Sequence, residues 1–190
     1  AASLQRADMG GSLNTRELLE IAAVLRAART AGDYGAGEEK SPISHLFHAL
    51  TPNKFLEETI TNSIIGEDEL ADSASPELAS IRRHMRATEA KVREILQKII
   101  SSNQSKYLQE SIITIRSDRY VVPVKSEYKN SIPGLVHDVS SSGSTFFIEP
   151  MGVVKANNEL RELAAREKKE IERILAELSA QCAAHKEDIS

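Results

Sequence analysis

The chain has 190 residues, a net charge of −4 and one cysteine, so it is long enough to bury a core and holds no internal disulfide framework. No apolar run approaches the roughly 20 residues of a membrane span and no signal-peptide pattern opens the chain; with the lone Cys182 this points to a reducing cytoplasm and excludes a membrane role. Residues 1–74 carry 6 basic and 12 acidic side chains (net −6), residues 75–130 carry 11 and 6 (net +5), and residues 131–190 carry 7 and 10 (net −3), so any nucleic-acid contact is confined to the middle segment.

The chain opens Ala-Ala-Ser without an initiator Met and is expected to be a piece of a longer protein. Its first quarter reads as short helices. Asn14 with Glu17 three residues on forms a capping signal, and Leu18, Leu19, Ile21, Ala22, Val24, Leu25 and Ala28 make an apolar stripe behind it. A Gly-rich acidic loop, Asp33 to Ser41, follows. Gly32 and Gly37 have phosphate-loop separation, but Glu38 stands where lysine is needed and a carboxylate repels a nucleotide phosphate. Two further short helices are expected at Ile43–Leu50 and Phe55–Ile65, then a turn flanked by short strands. His45 and His48 stand three apart on the first of these, without a third ligand at diagnostic spacing, so packing and hydrogen bonding rather than a metal is the expectation.

Ser75, Pro76 and Glu77 are an N-cap, a first-turn proline and an acid at the positive end of a helix dipole. Leu78, Ile81, Met85, Thr88, Val92, Ile95 and Ile99 then step 3 and 4 alternately, a heptad seam on a helix of about 40 Å. A second seam runs through Asn157, Leu160, Ala164, Glu167, Ile171, Ile174, Leu178 and Gln181, widened by Leu163, Leu175 and Cys182. Its polar members weaken apolar pairing but are able to fix register. The charged remainder reads as a solvated face, and Cys182 as a small apolar residue rather than a reactive thiol.

Between these helices, residues 107–150 alternate at period two. Ile112–Arg116 and Tyr120–Lys125 flank Ser117-Asp118-Arg119 as a hairpin, with Pro123 marking an edge or a bulge. Gly134–Val139 and Thr145–Glu149 form a second hairpin around Ser140-Ser141-Ser142-Gly143. Tyr107, Tyr120, Tyr128, Phe146 and Phe147, five of the chain's eight aromatics, fall here and are expected to form a small core. Arg116, Arg119, Lys125 and Lys129, with Tyr128, are the candidate nucleic-acid contacts; protection of a sheet edge is the competing reading of the same charges. His137, Asp138, Ser140–Ser142 and Glu149 supply base, acid and nucleophile types, but no nucleophile elbow or metal-ligand spacing accompanies them, and no catalytic residue is assigned. The expected fold is mainly α with a small antiparallel β insertion. It comprises a helical segment at 1–74, a first long helix at 75–106, a β-rich clamp-like tip at 107–150, and a second long helix at 151–190. The two long helices run antiparallel as a lever.

DSASPEL (72–78), YLQE and SDRYVVPVK within 107–125, and GLVHDVSSSGSTFFIEP with NNELRE within 134–162 resemble the type-two bacterial MutS proteins, paralogues of mismatch-repair MutS. The LLEIAAVLRAAR helix (18–29) extends the resemblance over nearly the whole chain. It implies the core and lever region of a MutS fold, from a homodimeric protein whose ATPase domain binds ATP and Mg and which commonly ends in an Smr nuclease domain. The family roles it implies are suppression of homologous recombination through branched DNA and, in some bacteria, rescue of stalled ribosomes. No Walker motif or Smr module lies in this chain, so no cofactor site and no cleavage is assigned to its residues. The family favours Asn-Gly where this chain has Ser117-Asp118, which leaves the turn type open. Two readings remain: a core and lever region whose tip touches DNA or ribosomal RNA, and a lever that meets only protein.

Overall fold

A computed structural model describes residues 2–36 and 53–185, without the side chains of 34–36. The expected Asp33–Ser41 loop is instead helical as far as Ala36; its remainder, the helix expected at Ile43–Leu50, and His45 and His48 with it, lie outside the described residues. In chain order the elements are α1 (Ala2–Asp8), α2 (Thr15–Ala36), α3 (Lys54–Ser63), β1 (Ile64–Gly66), β2 (Glu69–Leu70), α4 (Pro76–Ile100), β3 (Thr114–Arg116), β4 (Arg119–Lys125), β5 (Gly134–Val139), β6 (Thr145–Pro150) and α5 (Val154–Ala184). The protein is mainly helical with small antiparallel sheets. It divides into two compact units, one of Ala1–Ser80 with Lys168–Ser190 and one of Ile81–Glu167.

In the first unit, local signals set each helix end. Gly10, at φ +84°, and Gly11 stop α1, with the Gly11 N–H donating to the Arg6 carbonyl at 2.9 Å. Asn14 and Glu17 form the capping box their spacing implies: Glu17 N–H to Asn14 Oδ1 at 2.8 Å, and Asn14 N–H to Glu17 Oε2 at 3.0 Å. Asn53 caps α3 through Leu56 N–H at 2.9 Å. Ser75 caps α4 by accepting from Leu78 N–H at 3.0 Å and donates its own hydroxyl to Glu170 at 2.9 Å. The core joins Leu4, Leu13, Leu18, Leu25, Leu56, Ile60 and Leu78 to Ile174, Leu178 and Cys182 of α5. Val24, counted in the expected stripe of α2, is instead 49% exposed, because the buried arc is narrower than the apolar one.

The second unit holds a four-stranded antiparallel sheet in the order β3-β4-β6-β5, packed on the helices that flank it in sequence. Val92 and Leu96 of α4 and Ala156 of α5 bury against Val122, Val124 and Ile148. Leu96 lies beside the heptad seam rather than in it; the sheet widens the stripe that α4 hides. On α5 Leu163, expected to widen the seam, is buried, whereas Ala164, expected within it, is exposed. Arg82 Nε donates to Glu167 Oε2 at 2.9 Å between the two helices.

Strand register explains several residue choices. Ser117 (φ 51°) and Asp118 (φ 59°) both take left-handed conformations between paired Arg116 and Arg119, which is a two-residue type I′ turn. Arg119 is therefore the first residue of a strand and not part of the turn, a correction to the three-residue loop. Pro123 pairs with Phe147 inside the sheet order, where an edge or bulge was expected. Proline is tolerated because β3 has ended by this point: the Pro123 carbonyl faces that side and accepts from Gln109 N–H at 2.9 Å. At Gly134 a Cβ would stand 2.2 Å from the Glu149 carbonyl oxygen, so only glycine lets β5 approach β6 there. The register slips between Val136 and Asp138, making His137 the extra residue of a bulge.

Candidate nucleic-acid interface

The candidate basic residues separate into three environments. Arg119 is buried. Its guanidinium donates to both oxygens of Glu149, at 2.6 and 3.0 Å, and Glu149 is 0% exposed. Asn157 Nδ2 also donates to Glu149 Oε2 at 2.6 Å, and His137 Nε2 lies 3.2 Å from Glu149 Oε1. Burial pushes the Glu149 carboxyl upward, but hydrogen bonds from Arg119, His137 and Asn157 more than offset it, so its pKa is lowered overall. Arg119 is thus an interior residue, against the expectation of an outward contact; the shorter turn put it on the buried face of β4.

Asn157 completes this network. Its Oδ1 accepts from Tyr120 N–H at 3.4 Å and its Nδ2 donates to the Tyr120 carbonyl at 3.1 Å. One side-chain amide therefore answers both backbone groups of a strand residue. This polar seam position, expected to act between the two long helices, here bonds a strand. The Tyr120 hydroxyl donates to Glu89 Oε1 of α4 at 2.7 Å, and Arg93 covers the ring at 5.3 Å. Burial first, and the Glu89 hydrogen bond second, raise the Tyr120 pKa.

Arg116 is partly exposed and engaged. It lies 3.4 Å from Asp138 Oδ2, and its guanidinium carbon sits 4.2 Å from the Phe147 ring centroid. Its charge is neutralised within the sheet.

The lysines differ. Lys129 Nζ stands 5.4 Å from the Phe146 ring, Lys106 Nζ stands 5.1 Å from the Tyr107 ring, and the Tyr107 and Tyr128 rings pack at 5.1 Å with a 47° tilt. Lys106, Tyr107 and Tyr128 so form one cation–ring–ring group and Lys129 with Phe146 a second cation–ring pair; the two groups, adjacent in sequence at Tyr128-Lys129, make up a lysine–tyrosine ladder, with Lys125 three residues before Tyr128. Among the described residues no carboxylate pairs with Lys106, Lys125 or Lys129. Of the candidate contacts, Lys125, Tyr128 and Lys129 are close in sequence, with Tyr128 packed on Tyr107 and Lys129 on Phe146, while Arg116 and Arg119 are engaged with Asp138, Phe147 and Glu149. Lys106 and Tyr107 join the ladder unforeseen as contacts; an adjacent Lys-Tyr at the helix-to-sheet crossing was the available signal.

Of the acid, base and nucleophile types, His137 and Glu149 come together, and the turn serines bond one another and Thr145 instead of either. His137 turns to Glu149, Asp138 accepts from Val139 N–H at 2.9 Å, and Ser142 and Ser144 bond each other at 2.8 Å. Gly143 (φ +72°) closes the serine turn, its N–H reaching the Ser140 carbonyl. The Cys182 thiol is buried and pushed up to about 11 by that burial. Among the described residues no group of three His, Cys, Asp or Glu is arranged for a metal, and no helix is long and apolar enough to cross a membrane. No glycine in the sequence is followed by lysine, so it contains no Walker-type phosphate loop.

No family model matches the chain. Relatives named Endonuclease MutS2 do. That of Ruminiclostridium cellulolyticum is 52% identical over 182 residues, covering 93% of this chain and 23% of its own length. That of Acetivibrio thermocellus is 50% identical over 185 residues, covering 94% and 23%, and that of Pelotomaculum thermopropionicum is 51% identical over 187, covering 97% and 24%. The chain spans under a quarter of the length of these relatives. It belongs, as that stretch, to the MutS2 family.

Proposed function

We propose that this chain is the non-catalytic core and lever region of a MutS2-type protein, and that its sheet presents the lysine–tyrosine ladder to a nucleic-acid backbone. The observation that carries the reading is the contrast in charge pairing. Arg116 and Arg119 are paired with Asp138 and Glu149, whereas among the described residues no carboxylate pairs with Lys106, Lys125 or Lys129, and Lys106 and Lys129 stand beside aromatic rings. Such lysines suit phosphates, which position a protein without reading sequence. The relatives' name supports an action on nucleic acid by the whole protein. Branched DNA and recombination intermediates are the proposed targets, stalled ribosomes the second, in a homodimer whose ATP, Mg and nuclease chemistry belong to other parts of the protein. In this reading α4 and α5 are the lever helices and residues 107–150 the clamp-like tip.

The test is charge reversal of Lys106, Lys125 and Lys129 together in the intact protein, followed by binding to branched DNA and to ribosomes across a salt series. Loss of affinity and a shallower salt dependence are expected, because fewer counterions are released. Unchanged binding of both targets rejects the contact. A lever that meets only protein is favoured by one observation: β5 is an edge strand, and Leu135, Val136 and Val139 on it are exposed. Under that reading the reversal is silent, while polar substitution of those three residues weakens assembly.

A further inference from the structure

We infer that Tyr128 is a stacking platform for one unpaired base, so that the ladder takes a single-stranded stretch of nucleic acid in preference to duplex. This rests on the nucleic-acid reading above and narrows it.

The other aromatics of the sheet are engaged. Tyr120 gives its hydroxyl to Glu89 and its ring to Arg93, Phe147 lies under Arg116, Phe146 packs on the core and carries Lys129, and Tyr107 carries Lys106. Tyr128 alone among them is exposed, at 37%, and no cation covers it. Its ring leans on Tyr107, and its backbone is tied into a tight turn, with Ser131 N–H donating to the Tyr128 carbonyl at 2.9 Å. The platform is held in place before anything binds, which lowers the ordering cost of binding.

Base faces are enclosed in a duplex and open in a single strand, so a lone outward ring adds nothing to duplex binding and a full stack to an unpaired base. Lysines supply point charges rather than the planar fork that reads base edges, so the contact is tolerant of sequence. Three unpaired lysines give a duplex only a modest electrostatic attraction that salt removes. Stacking is less salt-dependent and tips the preference.

The experiment uses the intact protein, with fluorescence anisotropy on a labelled dT oligomer, a U oligomer of the same length, and a blunt duplex. Tyr128→Ala should weaken one or both single strands about 5- to 100-fold, as loss of one stacked base does, and leave duplex binding and the salt slope unchanged. The arm that falls identifies DNA, RNA or either. Tyr128→Phe should bind as the parent does; Tyr128→Leu, which keeps apolar bulk to rest on Tyr107, should fail like alanine while retaining the parental melting temperature. Equal weakening of duplex and single strands, or no change in either single strand, overturns the inference. If the triple lysine reversal weakens binding while Tyr128→Ala is silent, stacking alone fails; if the reversal too is silent, the contact beneath it fails as well.

Discussion

Glu149 sits at 0% exposure with four polar partner contacts, so its chemistry governs what happens when a proton or a neighbour is removed. Glu149→Gln keeps the shape and deletes the charge, leaving the Arg119 guanidinium buried without its counter-ion. The expected loss is about 3–5 kcal/mol, read from urea unfolding, while replacing Arg119 and Glu149 together by apolar residues of similar volume should recover much of it. The same carboxylate predicts a pH dependence. Its pKa in the folded chain lies below the unfolded value, so the stability it contributes is fully present above the ordinary carboxylate range and disappears as pH falls through the folded value. The stability gap between the parent and Glu149→Gln should therefore be wide at neutral pH and close in acid. A gap independent of pH would mean that the charge of Glu149 contributes nothing.

At the scale of elements, the β3–β4 turn is the clearest place to change stability without touching a partner. Ser117 and Asp118 both hold positive φ, which costs ordinary residues energy that Asn and Gly avoid. Replacing them by Asn-Gly should raise stability by about 1 kcal/mol, seen as a higher melting temperature of the unit that holds the sheet. This turn also shows where sequence reasoning ran out. Hairpin existence followed from alternation and a polar break, but whether two or three residues turn is decided by backbone conformation. That single residue moved Arg119 from the outside to the inside. The helix caps at Asn14 and Ser75 were readable because each is a local bond within three residues. The bridge from Ser75 to Glu170 was not, since it spans 95 positions. Likewise the seam of α4 and the widening of the α5 seam at Leu163 were legible from their period, whereas Leu96, outside the expected seam, is buried by the sheet that packs beside it.

For the whole molecule, the buried hydrophobic residues form two clusters, and the single cysteine reports on one of them. Cys182 is buried among Leu178, Ile174 and their neighbours, with its thiol pushed up to about 11. Modification by a thiol reagent at neutral pH should be slow in the native protein and should accelerate with urea in step with loss of helix signal. Rapid labelling without urea would show that this core opens on its own. Charge, too, acts at this scale: the net −4 opposes any nucleic acid, so the ladder works only over the short range that salt leaves unscreened.

One consequence follows from the way Asn157 grips Tyr120. Ordinarily a strand ends and a pliant connection absorbs whatever the next helix does. Here the amide of α5 stands in for the missing stretch of β6 and is bonded at the same time to Glu149, which clasps Arg119. The first turn of α5 is thereby tied by side-chain bonds to the start of β4 as well as by the chain itself to the end of β6.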